Sequence, residues 1–198
     1  MGDMNIGISL ENYWQMKCMR RPEGCDCVGC QGWKAGERTD IRCQNEYVAW
    51  EDGFDNTVTT EGKNDLLTQY FEGIGYTAAW YVGLISSTNW TAYAATDTAA
   101  KITATANPPT TNGWQESAVY AARIAWVGGT AAAGSVDNHL APASIPITGP
   151  DTIRGGFLDT TATVAGTLGK LYADGDFANP RAVLNGDTML VTVTLTVT

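Results

Sequence analysis

The sequence is poor in histidine, in positive charge and in long apolar runs. It has one histidine, and 12 Lys and Arg residues against 21 Asp and Glu give a formal net charge of −9. No apolar run reaches the roughly 18 residues of a membrane-spanning helix, so none is predicted. The opening residues Met1–Asn5 have neither a basic region nor an apolar stretch, so no signal peptide is expected. The negative charge argues against a general affinity for nucleic acid, because phosphate binding needs Lys and Arg. No specific nucleic-acid partner is expected.

These shortages also restrict catalysis. Any Ser–His or Cys–His mechanism would depend on His139, which lies in a polar stretch and is interpreted as a solvated loop residue. Two carboxylate clusters lie beside glycines: residues 51–55, and Asp174 with Asp176. Turn chemistry explains both clusters, with a calcium ion at the second as the alternative. No glycine pattern for phosphate or dinucleotide binding is present. We therefore predict a non-enzymatic protein with no catalytic residues.

The abundant features are apolar residues and an uneven distribution of charge. Hydrophobic residues make up 44% of the 198 residues and charged residues 17%, which is typical of a folded chain. The first 76 residues carry 20 of the charged side chains and the remaining 122 carry 13. Residues 17–42 hold six Lys and Arg against four Asp and Glu. This slightly basic segment is either a solvated loop or a docking surface.

Alternating patterns predict strands. The last strand has an apolar face and a threonine face: Val191, Val193, Leu195 and Val197 against Thr192, Thr194, Thr196 and Thr198. Residues 5–14 alternate in a similar way, and residues 43–51 are predicted to be their return strand. Further strands are predicted at 79–85 and 118–127.

One helix is predicted at about residues 60–72. Thr59 or Thr60 offers an N-cap oxygen, and Gly73 supplies the left-handed residue that ends a helix. We expect its apolar side chains to be buried together against a sheet: Leu66, Leu67, Tyr70 and Phe71.

These elements predict a mainly β fold, a β-sandwich or jelly-roll body with one α-helix. The body comprises residues 1–17 and 43–198, and residues 18–42 are predicted to be an irregular, Cys-stapled loop inserted in the first hairpin. Many short strands separated by Gly, Pro, Asn and Asp turns are typical of such bodies.

All five cysteines lie in or beside this loop. The spacing of Cys25, Cys27 and Cys30 brings three sulfurs within reach of one ion, and Cys43 supplies a fourth, with Cys18 as the alternative ligand. The predicted ion is a structural zinc, and no other cofactor is required. Disulfides are the rival interpretation, with Cys18 facing Cys43 across the hairpin, and free thiols are the third. A loop with so few apolar residues needs a staple to be ordered, so either bond would be structural.

Seven aromatic residues in or near the strands have two interpretations. They either pack in the core, which is the commoner use, or form a platform for carbohydrate. These residues are Trp80, Tyr81, Trp90, Tyr93, Trp114, Tyr120 and Trp126.

Several stretches of the body form a pattern shared with a known family. The longest are Asn56–Leu67 (NTVTTEGKNDLL) and Tyr76–Ile85 (YTAAWYVGLI). Shorter matching pieces are Gly134–Asn138, Gly155–Leu158, Gly166–Gly169 and Asn185–Thr188. Together they resemble a family of small tailed-phage and prophage proteins, whose members are virion structural components encoded among head genes. The resemblance covers the opening strand and about residues 44–198.

The resemblance implies a structural protein on the capsid exterior that decorates or cements the shell by bridging its subunits. The implied partners are the major capsid protein and further copies of the chain, as a trimer, with no membrane. The alternatives are a tail, neck or fibre component that binds a host-surface ligand, and a free metal-binding module acting through the cysteines. The chain departs from the family at residues 18–42, where relatives have a short turn, so the resemblance implies no role for that insertion.

Overall fold

The structure is a computed structural model, and it describes residues 10–20, 47–73, 79–88, 90, 93–103 and 114–197. Strands make up 53% of the described residues, and the sheet is antiparallel and nearly closed. The prediction of a mainly β fold is therefore confirmed. None of the described helices is long and apolar enough to cross a membrane.

Eleven strands are described. They are β1 (Leu10–Arg20), β2 (Tyr47–Val58), β3 (Trp80–Ser86), β4 (Ile102–Thr103), β5 (Trp114–Gln115), β6 (Ile124–Trp126), β7 (Ser135–Asp137), β8 (Ala143–Pro146), β9 (Asp151–Asp159), β10 (Leu171–Val183) and β11 (Thr188–Val197). The strand predicted at 79–85 is confirmed as β3, and the alternating strand at the end of the chain is confirmed as β11.

Nine of these strands form one sheet that almost closes on itself. Its order is β6-β3-β9-β10-β2-β1-β11-β7, and β8 also pairs with β11. The two ends of this order approach each other. The Gly129 amide donates to the Asp137 carbonyl at 2.7 Å, and Trp126 Nε1 donates to the Val193 carbonyl at 3.3 Å. The sheet is therefore close to a barrel, while β4 and β5 form a separate parallel pair.

The main core lies inside this near-barrel and is filled from both walls. One wall contributes alternate residues of β1 and β11, all fully buried: Trp14, Met16, Cys18, Met189, Val191 and Val193. On the opposite wall Gly156 leaves room for them, since a Cβ there would lie 2.5 Å from Met16 Cε and 2.8 Å from Trp14 Cζ3. Each large apolar side chain buried in this way stabilises the fold by roughly 1.5–3 kcal/mol.

β1 and β2 form the first hairpin. Their antiparallel pairing runs from Asn12 opposite Asn56 to Arg20 opposite Tyr47, with one irregularity after Cys18. β1 therefore continues three residues beyond the body boundary predicted at residue 17. Residues 21–46, which contain most of the predicted insertion, lie outside the described residues.

The predicted helix is present with the predicted caps. α1 (Thr60–Leu67) continues into a π-helical turn, Thr68–Glu72. Thr59 Oγ1 accepts a hydrogen bond from the Gly62 amide at 3.0 Å, and Gly73 ends the helix with φ at 67°. Both caps are local features of the sequence, which is why they were predictable.

The predicted apolar stripe of the helix is wrong. Leu66, Leu67 and Phe71 are 40%, 49% and 69% exposed, and the Tyr70 side chain lies outside the described part of the structure. The helix instead buries Gly62 and Asp65. The reason is that its backbone meets β10 closely: a Cβ on Gly62 would lie 2.6 Å from the Tyr172 carbonyl oxygen.

The strand predicted at 118–127 is wrong in part, because β6 covers only Ile124–Trp126. The preceding residues are irregular, and their backbone bonds to loops instead of to a strand. The Val119 carbonyl accepts from Thr148, and the Arg123 amide donates to Ala162, at 2.7 and 3.2 Å. The apolar residues of this stretch alternate, but before Ile124 the backbone does not form a strand paired with the sheet.

Candidate functional site

The predicted zinc ligands fall mostly outside the described structure. Cys25, Cys27, Cys30 and Cys43 lie in 21–46, so the zinc, disulfide and free-thiol interpretations all remain predictions. Within the described ranges, no three His, Cys, Asp or Glu residues are grouped so that they would hold a metal ion. The structure does describe Cys18, and also Arg20 and Tyr47, which flank residues 21–46.

Cys18 is a core residue of β1. Its side chain is fully buried beside Met16, and its thiol donates to Asp187 Oδ2 at 3.3 Å. Burial, reinforced by the hydrogen bond to Asp187, raises the pKa of Cys18 to about 12. A zinc ligand must reach the ion, whereas the thiol of Cys18 is enclosed in the core and bonded to Asp187. This environment favours Cys43 over Cys18 as the fourth ligand of the predicted site.

The base of the segment is held by an ion pair between Arg20 and Asp187, which we call the root clamp. Arg20 Nε and Nη2 donate to the two carboxylate oxygens of Asp187 at 2.9 and 2.8 Å, and the Leu184 amide donates to the same carboxylate at 2.8 Å. Burial alone would raise the pKa of Asp187, but the hydrogen bonds from Arg20 and Leu184 outweigh it and lower the pKa. Asp187 is only 2% exposed. A bidentate, largely buried pair of this kind fixes the last residue of β1 in one position.

The rest of the hairpin is held from both sides. β11 pairs with β1 along its length, and β10 pairs with the end of β2. Side chains add to this on the β2 side, where Trp50 Nε1 donates to the Ala182 carbonyl at 2.9 Å and Arg181 Nε donates to Asp52 at 2.9 Å. The hairpin is therefore a firmly supported stem for residues 21–46.

The excess positive charge predicted for this region belongs to the stem. Lys17 pairs with Glu51 at 3.0 Å, and Arg20 pairs with Asp187. Residues 21–42 contain four Lys and Arg and four Asp and Glu, so they have no net charge. Of the two interpretations of the basic segment, a docking surface that attracts partners by positive charge is not supported.

Both carboxylate clusters predicted as turns lie in strands, so that prediction is wrong. Residues 51–55 belong to β2, and Asp174 and Asp176 belong to β10. The glycines beside them are strand residues packed closely against neighbouring strands, not turn residues: a Cβ on Gly175 would lie 2.7 Å from Asn56 Cβ and 2.8 Å from Phe54 Cδ2. Asp174 is fully buried.

His139 lies where the sequence predicted. It is in the loop after β7, its side chain is 63% exposed, and its amide donates to Asp137 Oδ1 at 2.9 Å. The hydrogen bonds from His139 lower the pKa of Asp137. The arrangement is a local turn on the surface of the protein.

The aromatic residues of the predicted platform pack inward. Trp114 and Tyr120 are buried, and Trp80 and Trp126 are half-buried against the main core. Trp90 and Tyr93 are half-buried against a second, smaller core that contains Trp114 and Phe157. Some of their rings contact one another, as in the edge contact of Trp90 with Tyr93 at 5.7 Å between centroids. For these six residues, core packing is the interpretation that the structure supports.

The body also contains a buried charge network that the sequence did not predict. Arg123 pairs with both oxygens of Glu116 at 2.9 and 2.7 Å and donates to Asp159 at 3.0 Å. All three side chains are inaccessible, and the guanidinium lies 4.7 Å from the centre of the Phe157 ring. Burial raises the pKa of Asp159 to about 6.

This network is an internal staple. The remaining donors of Arg123 bind backbone carbonyls of the loop after β9, at Thr161 and Gly166, at 2.9 and 3.2 Å. The charges therefore tie that loop to the segment before β6. The only signal in the sequence was that Arg123 is a charged residue within an apolar run. Its partners Glu116 and Asp159 lie 7 and 36 positions away, and no local sequence pattern connects them to Arg123.

The root clamp was missed for a similar reason. Asp187 lies in the turn sequence Asn185–Thr188, which marks a change of direction but gives no hint of a partner 167 positions earlier. Only the register of β1 against β11 brings the two residues together.

A scan of the sequence against protein-family models finds no match, and a search of curated proteins finds no significant similarity.

Proposed function

We propose that this chain is a structural virion protein of a tailed phage that decorates or cements the capsid exterior. It would bridge capsid subunits and present residues 21–46 to them as the contact element. The observation that carries the proposal is the supported stem. A 26-residue segment with four cysteines connects two paired strands, and the root clamp fixes the residue that precedes it. The sequence resemblance to small phage head proteins supplies the setting.

A contact element works best when it is held in advance, because ordering it on binding costs free energy. The stem holds the two ends of the contact element in place, because Arg20 and Tyr47 are paired in the sheet and Asp187 fixes Arg20. Beyond the base we propose a structural zinc bound by Cys25, Cys27, Cys30 and Cys43. The body, proposed as a β-sandwich or jelly roll, would act as the rigid block that spans neighbouring subunits, as a trimer.

The alternative of a tail, neck or fibre protein that binds a host ligand has less support. It relied on aromatic side chains for the platform, and six of those seven pack against the cores. We therefore place the decoration function first.

The position in the virion is tested by copy number. Virions of the encoding phage are purified, and the band of this protein is quantified against that of the major capsid protein. Decoration predicts hundreds of copies and labelling of the head by a specific antibody in electron micrographs. A few copies with labelling on the tail would support the alternative, and absence from the particle would contradict both.

The contact element is tested by binding to capsids from a phage that lacks the gene. Arg20→Ala removes the root clamp and should weaken binding about tenfold, which corresponds to 1.4 kcal/mol. Arg181→Ala is the matched control, because it removes an Arg–Asp pair between β10 and the same hairpin that lies away from the root. Equal binding by the two variants would contradict attachment through residues 21–46.

The staple is tested by elemental analysis with a thiol count. One zinc per chain, with thiols that react only after chelation, is the expected result. Thiols that react only after reduction would show that the segment is held by disulfides and not by zinc. Absence of zinc with freely reacting thiols would remove the staple altogether.

A further inference from the structure

The second core lies on the other face of β9 from the main core. Successive side chains of a strand point to opposite faces, and Leu158 belongs to the main core while Phe157 belongs to the second. Trp114 is buried against Phe157, with 5.0 Å between the ring centres. Trp90 and Tyr93 pack against the same core. Its apolar surfaces are therefore supplied largely by aromatic rings.

Most of the unpaired buried polar atoms in the described part of the chain surround this core. Seven buried side-chain nitrogen and oxygen atoms lack a hydrogen-bond partner there, and six of them belong to this region. The six are the indole nitrogens of Trp90 and Trp114, the hydroxyl of Tyr93, Nε of Arg154 and both carboxyl oxygens of Asp174. A buried polar group without a partner is rare and costs free energy, so six in one region require a physical explanation.

Contacts between side chains connect these residues. The Tyr93 ring contacts the rings of Trp90 and Trp114, at 5.7 and 6.3 Å between centres. The Arg154 guanidinium lies over the Trp90 ring, 4.1 Å from its centre. Arg154 also pairs with Asp176 of β10 through Nη2, which leaves its Nε unpaired. The aromatic side of the cluster is thus joined to β10.

Asp174 belongs to the same cluster from the side of the sheet. It lies directly opposite Phe157 in the pairing of β10 with β9, and directly opposed side chains share one face of a sheet. Phe157 is the ring that Trp114 contacts, and Asp176 lies two positions further along β10. The completely inaccessible side chain of Asp174 is therefore on the face that carries the second core.

Donors and acceptors are both present among the six atoms, yet none of them bonds another. Indole N–H groups and Nε of Arg154 can only donate, whereas the oxygen atoms of Asp174 and Tyr93 can accept. Such groups would bond one another if they were within reach, so the fold holds them apart. A group that bridges them has to accept from nitrogen and donate to oxygen. A hydroxyl group does both.

We propose that this cluster is a binding site for hydroxyl groups. Its binding groups are the carboxyl of Asp174, Nε of Arg154 and the polar edges of three aromatic residues, Trp90, Tyr93 and Trp114. Water supplies hydroxyl groups, and so does a sugar, whose apolar faces pack on aromatic rings.

Charge restricts the ligand further. The one cation of the cluster, Arg154, already has Asp176 as its ion-pair partner. No cation is therefore left among the binding groups to neutralise an anion, and an anionic ligand is disfavoured. The ligand is internal water or an uncharged sugar.

The indole N–H groups of Trp90 and Trp114 test the site in proton–nitrogen correlation spectra of the intact chain. Their signals are assigned by the loss of one signal in Trp90→Phe and in Trp114→Phe. Trp14, which is completely buried in the main core, is the control. Bound water predicts a nuclear Overhauser effect from water to the indole protons of the site and none to that of Trp14.

A sugar is tested by adding glucose, galactose or N-acetylglucosamine. If a sugar binds, the signals of Trp90 and Trp114 shift and saturate while that of Trp14 stays, and any effect from water at the site is lost. An effect from water that all three sugars leave unchanged assigns the site to water. Absence of both responses at Trp90 and Trp114 would overturn the proposal.

A matched pair of variants locates the binding groups. Asp174→Leu replaces both acceptors by an apolar side chain of similar size, so it should weaken sugar binding about tenfold or remove the effect from water. Asp55→Leu makes the same change at an exposed position of β2 and should respond as the wild type does. An unchanged response in Asp174→Leu would show that the hydroxyl groups bind elsewhere. If Asp174→Leu does not fold, Tyr93→Phe, which removes only a hydroxyl, gives the same comparison.

Discussion

At the scale of single residues, the charges of the body can be followed one by one because they are few. Residues 77–198 carry only 13 charged side chains. Most of those that lie inside are used in pairs: Arg123 with Glu116 and Asp159, Lys101 with Asp97, and Arg154 with Asp176. The low number of charged residues can be read from the sequence. Which of them pair cannot, because the fold of the sheet and its loops decides which charged side chains meet.

Arg123 gives the sharpest test at this scale. Arg123→Met keeps much of the volume but leaves Glu116 and Asp159 buried without a cation, which should cost about 3–5 kcal/mol in the free energy of unfolding. Arg181→Met is the control, since its pair with Asp52 is partly exposed and should cost about 1 kcal/mol or less. Chemical denaturation measures both values. Similar losses in the two variants would show that the buried network is not a staple.

At the scale of elements, local signals predicted where elements begin and end, but not which face they bury. The cap at Thr59 and the end at Gly73 depend on residues within one turn and were predicted. The buried face of α1 depends on where β10 lies, and the close approach at Gly62 overrides the apolar spacing. The alternation at 118–127 likewise predicted one long strand, but contacts with distant loops determine the backbone there.

The helix can be tested by comparing Gly62→Ala with Leu67→Ala. Replacing Gly by Ala inside a helix ordinarily stabilises it by about 1 kcal/mol. Here the new Cβ would meet the Tyr172 backbone, at 2.6 Å from the oxygen and 2.7 Å from Cα, so a loss of about 1–3 kcal/mol is expected.

Leu67→Ala serves as the control, because Leu67 is half-exposed and should lose less than about 1 kcal/mol. Both values come from equilibrium unfolding monitored by circular dichroism. A stabilising Gly62→Ala would show that the helix stands further from β10 than the structure places it.

At the scale of the whole molecule, the strands with clear alternation were predictable and the closure was not. β11 reads directly from the sequence, since one face is apolar and the other is threonine. The approach of β6 to β7 and β11 depends on the Gly129 and Trp126 hydrogen bonds, which no pattern announces. Near-closure matters because it leaves little free strand edge for unwanted pairing.

The body should fold without its insertion. Arg20 and Tyr47 are a directly opposed pair, so replacing residues 21–46 by Asn-Gly creates a two-residue hairpin turn of a favoured type. The shorter loop reduces the entropy cost of closure by about 2 kcal/mol. We expect cooperative unfolding with a free energy no more than about 1 kcal/mol below that of the intact chain.

The control is Cys27→Ser with Cys30→Ser in the full-length chain, which keeps the length and removes two sulfurs. Its body should also unfold cooperatively. Aggregation of the shortened chain, with the control folded, would show that the body depends on the insertion.

The opposed pair at Arg20 and Tyr47 has a consequence for how such a protein can evolve. The ends of the inserted segment are one strand spacing apart, about 5 Å, so a segment of any length can be grafted there if its ends meet. A lineage can thus exchange this cassette by recombination while every pair of the sheet and the whole of both cores remain as they were. Adaptation to a different binding partner would then need a new cassette and no new scaffold.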